Sequence, residues 1–161
     1  MKGNVTTIQD LTRPIVRRKQ LSASNDATLR TVIETGYGEL VTDEPEAHGG
    51  TGTGPSPLQT VLGALCGCES VTFKRAAEEF GFAYDGIGFE ASYSIDIRGR
   101  MGVEGVRPHF QSVKVQATVR TSESQERLAE VVEVTESRCP VLNLMVDAGV
   151  RVEMLWVRDD G

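Results

Sequence analysis

Cysteine and histidine are scarce in this chain, three and two among 161 residues. Three cysteines cannot form the disulfide framework of a small secreted domain. The expected compartment is therefore the cytoplasm, where thiols stay reduced and a disulfide is more often catalytic than structural. No apolar run approaches the ~18 residues that span a bilayer. The N-terminus also lacks the charged-then-apolar pattern of a signal peptide. Positive charge is in deficit, with 17 Lys and Arg against 23 Asp and Glu, a net −6 and a pI near 5.0. A broad nucleic-acid surface needs clustered cations, so neither nucleic acid nor membrane is an expected partner. The one basic cluster (Arg13, Arg17, Arg18, Lys19) reads as a solvated tail.

The nucleotide and metal signatures are missing too. Residues 43–54 are rich in glycine, but no Gly-x-x-x-x-Gly-Lys-Ser/Thr pattern occurs and no lysine follows, so the glycines are expected to serve a close backbone turn. His48 lies among Asp43, Glu44 and Glu46 without a spaced second histidine, which reads as surface polarity, and no metal or other cofactor is expected.

What is present centres on residues 54–81. Ser56 can cap a helix, Pro57 suits its first position, and Gln59 completes a capping box. Gly81 is placed to end it in a left-handed conformation. Leu58, Val61, Leu62, Leu65, Cys68, Thr72, Phe73 and Ala76 follow helical spacing and predict one apolar face carrying Cys68. Cys66 lies about 200° away around the wheel. Near the other end, Cys139 directly precedes Pro140, which predicts a cysteine at a helix start. Free N–H groups there, the helix dipole and neighbouring Arg138 favour a thiolate.

The rest of the chain alternates between short strands and helices. Residues 27–42 predict a hairpin turning at Gly36-Tyr37-Gly38. Residues 86–98 and 111–121 predict two strands, the second burying Val113, Val115, Ala117 and Val119. A helix follows from Ser122 or Ser124 to about Glu136, with Leu128, Val131, Val132 and Thr135 inward. A short helix from Cys139 to near Gly149 and a strand over 150–157 complete the chain. This β-β-α-β-β-α-α-β order predicts an α+β fold with a largely antiparallel sheet packed on the long helix. Residues 1–24 are expected to be an arm and residues 25–161 one domain.

The run Gly54-Pro-Ser-Pro-Leu-Gln-Thr-Val-Leu-Gly-Ala-Leu-Cys-Gly-Cys, followed by Glu136-Ser-Arg-Cys-Pro-Val, resembles the OsmC/Ohr family of osmotically inducible and organic hydroperoxide resistance proteins. The resemblance extends over about residues 27–157. It implies an OsmC-like, intertwined homodimer with long central helices and active sites at the subunit interface. It also implies a thiol-dependent peroxidase that reduces organic hydroperoxides without metal or haem. Cys68 corresponds to the peroxidatic cysteine and Cys139 to the resolving cysteine, while Cys66 is not a family position. Many members carry a glutamate where this chain has Gln59, a carboxylate that helps hold the catalytic arginine; Gln59 brings no charge. Arg30 is the arginine expected to fill that role, with Arg98 and Arg107 as alternatives.

The implied chemistry is a Cys68 sulfenic acid, then a Cys68–Cys139 disulfide, reduced by an external dithiol of lipoyl or thioredoxin type. The apolar helix face (Leu62, Leu65, Phe73) would suit an alkyl hydroperoxide over hydrogen peroxide. The alternative is a non-catalytic OsmC-like protein that binds a small apolar ligand or senses redox state. A third reading is a structural dimer with two buried cysteines.

Overall fold

The computed structural model describes residues 10–161, so the first nine positions of the expected arm lie outside the described residues. The chain divides into two compact units, one ending at Pro55 and one spanning Ser56–Gly161.

In the N-terminal unit, residues 10–21 form no helix or strand and are exposed, the basic cluster included. Three strands follow, β1 (Ser22–Asn25), β2 (Thr31–Glu34) and β3 (Glu39–Thr42), paired antiparallel in that order. The expected turn closes β2 onto β3, with the Thr35 N–H donating to the Gly38 carbonyl at 3.2 Å. Gly36 and Gly38 take φ of 82° and 119°, which the missing Cβ permits. Two features differ from expectation. Residues 22–24, read as part of an arm, belong to β1. And β2 starts only at Thr31, because the Asn25 amide holds residues 26–30 in a turn by donating to the Thr28 and Arg30 carbonyls, both at 2.7 Å.

The glycine-rich loop of this unit folds around a buried carboxylate. Asp43 accepts from the N–H groups of Glu44, Thr51 and Thr53 at 2.8, 3.1 and 3.2 Å. It also accepts from the Thr51 and Thr53 hydroxyls at 2.5 and 3.0 Å. The Thr51 hydroxyl above all holds Asp43 well below the usual carboxylate range, against the opposing effect of burial. These backbone donors are thus engaged by the protein's own anion. The close turn read from the glycines is real: a Cβ on Gly50 would sit 1.9 Å from the Glu44 carbonyl oxygen. His48 is exposed at the end of a 3₁₀ turn, and among the described residues no acidic, histidine or cysteine cluster could hold a metal.

The C-terminal unit begins with α1 (Pro57–Phe80), capped as its sequence predicts. The Ser56 side chain accepts from the Gln59 N–H at 3.2 Å, and the Gln59 side chain accepts from the Ser56 N–H at 3.0 Å. Gly81, at φ 60°, ends the helix. Then come β4 (Gly86–Ser94), α2 (Ile97–Arg100), β5 (Ser112–Arg120), α3 (Gln125–Arg138), α4 (Pro140–Asp147) and β6 (Arg151–Asp159). β5 is central, antiparallel to β4 but parallel to β6. The sheet is therefore mixed rather than largely antiparallel, since α3 and α4 carry the chain back along the sheet before β6 begins. The strand expected through residue 98 stops at Ser94. Asp96 caps α2 by accepting the Arg98 N–H at 3.1 Å, and Ile97 is 56% exposed instead of inward.

α1 packs against β4, α3 and α4. Its N-terminal half contributes Leu62 and Leu65 to a core with Val113, Val115, Leu142 and Met145. Its C-terminal half contributes Phe73, Ala76 and Ala77 to a second core with Phe82, Val119, Leu128 and Val131. The inward sets expected for β5 and α3 are buried, apart from Val132, which is only partly so. No helix among the described residues is long and apolar enough to cross a membrane.

Candidate active site

Two elements remote in sequence bring Cys68 and Cys139 together. Cys68 lies half-buried on α1, on the flank of the buried stripe Leu62, Leu65, Glu69, Phe73 and Ala76. Its carbonyl accepts from the Thr72 hydroxyl at 2.8 Å. Cys139 is the hinge between two helices. Its N–H donates to the Thr135 carbonyl at 3.0 Å, closing α3. Its thiol accepts from the Leu142 N–H at 3.5 Å, capping α4. The Asn143 side chain then ties the corner, donating to the Cys139 carbonyl at 2.8 Å and to the Glu136 carbonyl at 3.0 Å. This corner holds Cys139 fully buried in the core that Cys68 borders, and the two thiols are close enough to influence one another. All three cysteines are free thiols.

The electrostatics reverse one expectation. The helix start and Arg138 were expected to favour a Cys139 thiolate. Instead burial first, then the neighbouring Glu69 carboxyl, push the Cys139 thiol well above its ordinary range. The Leu142 N–H opposes this, but one amide dipole does not offset full desolvation. Arg138 is unavailable because it pairs with Glu79 at 2.6 Å on the surface. Burial also raises the Cys66 thiol, with Glu69 adding to the effect.

The other expected site residues are dispersed. Gln59 is exposed, and its side-chain oxygen is occupied by the Ser56 N–H. Arg98 pairs with Asp96, and Arg107 donates to the Gly149 carbonyl at 2.8 Å. Arg30 is half-buried at the entrance to β2 in the N-terminal unit, beside Asp26, on which its charge acts. The apolar face expected to receive an alkyl tail is already used, since Leu62, Leu65 and Phe73 are packed inside the unit.

Glu69 was not anticipated. It is fully buried, and neither carboxylate oxygen has a hydrogen-bond partner, although the Cys139 thiol is near enough to interact with it. The signal was the spacing itself: with Glu69 included, the buried stripe of α1 runs in steps of three, four, four and three. Burial, reinforced by the negative Glu136, raises the Glu69 carboxyl above its ordinary range, while Cys139 pulls the other way. Between the unfolded and the folded pKa, the folded chain therefore holds a proton here that the unfolded chain has released. Above the unfolded value of about 4.3, stability must fall as pH rises through the folded pKa. A Glu69→Gln variant escapes this loss. Its melting temperature should gain on wild type as pH rises from about 4 towards neutrality; a constant difference across that range would mean that Glu69 titrates normally.

In this α+β unit a cysteine on a long helix meets a second cysteine at a helix start. The chain belongs to the OsmC family: the description OsmC-like protein matches residues 50–154. Similar solved structures share its fold. An OsmC-like protein from Mycoplasma pneumoniae aligns with a TM-score of 0.75 at 16% identity, covering 89% of this chain and 99% of that one. An organic hydroperoxide resistance protein OsmC from Legionella pneumophila aligns at 0.68 and 16%, covering 89% and 99%. The organic hydroperoxide resistance protein OhrB of Bacillus subtilis aligns at 0.62 and 17%, covering 87% and 98%. No curated protein matches the sequence.

Proposed function

We propose that this protein is a cytoplasmic thiol-dependent peroxidase that reduces organic hydroperoxides. The observation that carries this reading is the meeting of the Cys68 and Cys139 thiols inside one compact unit, from elements 71 positions apart (139 − 68). Family membership and the hydroperoxide-resistance proteins among its structural neighbours support it.

In the proposed cycle the Cys68 thiolate attacks the distal peroxide oxygen and the O–O bond breaks. The sulfur is oxidised to a sulfenic acid, and the alkoxide takes a proton to leave as an alcohol. Cys139 then forms a bond to the Cys68 sulfur and water departs. A dithiol of lipoyl or thioredoxin type supplies two electrons and two protons, restoring both thiols and leaving as a disulfide. Arg30 is the proposed cation that favours the Cys68 thiolate. Gln59 stands where many family members carry a carboxylate and brings no charge to the proposed site. The proposed assembly is a homodimer. Val61 and Val71, 39% and 51% exposed on α1, are apolar surface that a second subunit would cover.

The test is consumption of cumene hydroperoxide and of hydrogen peroxide with a dithiol reductant, followed by peptide mapping of the oxidised protein. Faster turnover of the organic peroxide, together with a Cys68–Cys139 disulfide, is expected. No consumption of either peroxide would refute the reading. The strongly protonated Cys139 favours one alternative, a redox sensor that is oxidised once and resolves slowly; stoichiometric oxidation without repeated turnover would identify it.

A further inference from the structure

We infer that Glu69 is the proton shuttle of the resolving step, passing the Cys139 proton to the hydroxide that leaves Cys68. This rests on the peroxidase reading above and adds a catalytic group to it. The position calls for an apolar residue. Leu65 lies one turn before it and Phe73 one turn after, both fully buried, and a leucine or methionine would continue the stripe without burying a carboxyl. Glu69 instead places two oxygens in the core with no hydrogen-bond partner. A buried polar group left unpaired is costly and calls for an explanation. Its surroundings supply one. Glu69 directly follows Cys68 in the chain, and the thiol that acts on its carboxyl is Cys139, at the start of α4. The other groups in range are Glu136 on α3 and Cys66 on α1 itself, and none of the three is a cation. The carboxyl is therefore not one half of an ion pair among these groups.

The chemistry requires such a group. Cys139 is buried and held protonated, and a thiol is a poor nucleophile. Moreover, the hydroxide expelled from a sulfenic acid is a poor leaving group unless it is protonated as it departs. One carboxylate meets both demands. As the Cys139 sulfur bonds to the Cys68 sulfur, Glu69 takes the thiol proton. As the S–O bond of Cys68 breaks, Glu69 returns that proton to the departing oxygen. The products are a disulfide and one water, and Glu69 ends as the carboxylate it began as, with no outside acid or base. Burial that brings the carboxyl nearer to neutrality suits this exchange, because a group works best in both directions when its pKa lies close to the working pH.

The test follows the two half-steps separately after one equivalent of cumene hydroperoxide, in wild type and Glu69→Gln. Dimedone trapping reports the Cys68 sulfenic acid, and timed non-reducing peptide maps report the Cys68–Cys139 disulfide. The sulfenic acid is expected to form at similar rates in both proteins. Disulfide closure should slow at least about tenfold in the variant and lose its dependence on a carboxyl ionisation. Closure at the wild-type rate with an unchanged pH profile would overturn the role of Glu69 while leaving the peroxidase reading intact. A wild type that yields neither species would overturn both, and the fault would then lie with the peroxidase reading. If the variant does not fold, the wild-type profile decides alone. Closure must lose rate on acidification through one ionisation above the ordinary carboxyl range, and a flat profile refutes the shuttle.

Discussion

Cys68→Ser is expected to abolish turnover of organic hydroperoxide, by at least about a thousandfold, while the protein stays folded. The substitution replaces one heavy atom at a half-buried position on the flank of α1, so the cores on either side keep their packing. The serine hydroxyl, however, does not ionise near neutral pH, and no attack on the peroxide O–O bond can begin without an ionised nucleophile. The companion variants separate the roles of the three thiols. Cys139→Ser should still convert one equivalent of hydroperoxide and stop at a trappable sulfenic acid. Cys66→Ser should keep turnover within about twofold, because Cys66 takes part in neither proposed bond. The measurement is hydroperoxide consumption under a dithiol reductant, with melting temperatures as the control for folding. Retained turnover in Cys68→Ser would remove Cys68 from the chemistry. Loss in Cys66→Ser alone would transfer the peroxidatic role to that residue.

The parts of this protein that depend on neighbours in sequence were legible, and those that depend on neighbours in space were not. The ends of α1 are local chemistry: Ser56, Pro57, Gln59 and Gly81 each act within a turn of their own position, and all four do what their residue types predict. The alternation of Val113, Val115, Ala117 and Val119 likewise marks its own buried face. The parallel pairing of β5 with β6 was not visible, because strand direction is decided by how α3 and α4 return the chain. The protonation of Cys139 was misjudged for a related reason. The dipole of α4 and the charge of Arg138 can be counted along the chain, but the burial that outweighs them is supplied by α1 and the sheet. Arg138 itself is spent on Glu79, 59 positions away. Glu69 was hidden by a rule that normally holds, that a glutamate within an apolar helix faces solvent. Its spacing contradicted its residue type, and the spacing was the better guide.

Phe73→Ala should be the most damaging single change to the C-terminal unit, lowering its stability by about 3–5 kcal/mol. Phe73 is fully buried one turn beyond Glu69, and three other aromatic rings surround it. Trp156 stacks on it at 5.3 Å between centroids and 17° between planes. Tyr84 and Phe82 meet it edge-on at 5.0 and 5.9 Å. Truncation removes the ring's transfer free energy, forfeits three aromatic pairs and leaves a cavity between α1, α3 and the sheet. For a chain of this size the melting temperature should fall by roughly 6–20 °C. Trp156, the only tryptophan, provides a direct probe, because its emission reports whether that stack opens. Trp156 also donates its ring N–H to Glu136 at 2.9 Å, and Glu136 is the charge that acts on Glu69. Loosening the aromatic cluster should therefore disturb Glu69 as well, and in Phe73→Ala disulfide closure should slow even well below the melting transition. Arg75→Ala, at an exposed position on the same helix, is the contrast and should cost this unit within about 0.5 kcal/mol. If Phe73→Ala lowered the melting temperature no more than Arg75→Ala does, the C-terminal half of α1 would not be packed against this cluster, and the burial of Glu69 one turn away would lose its support.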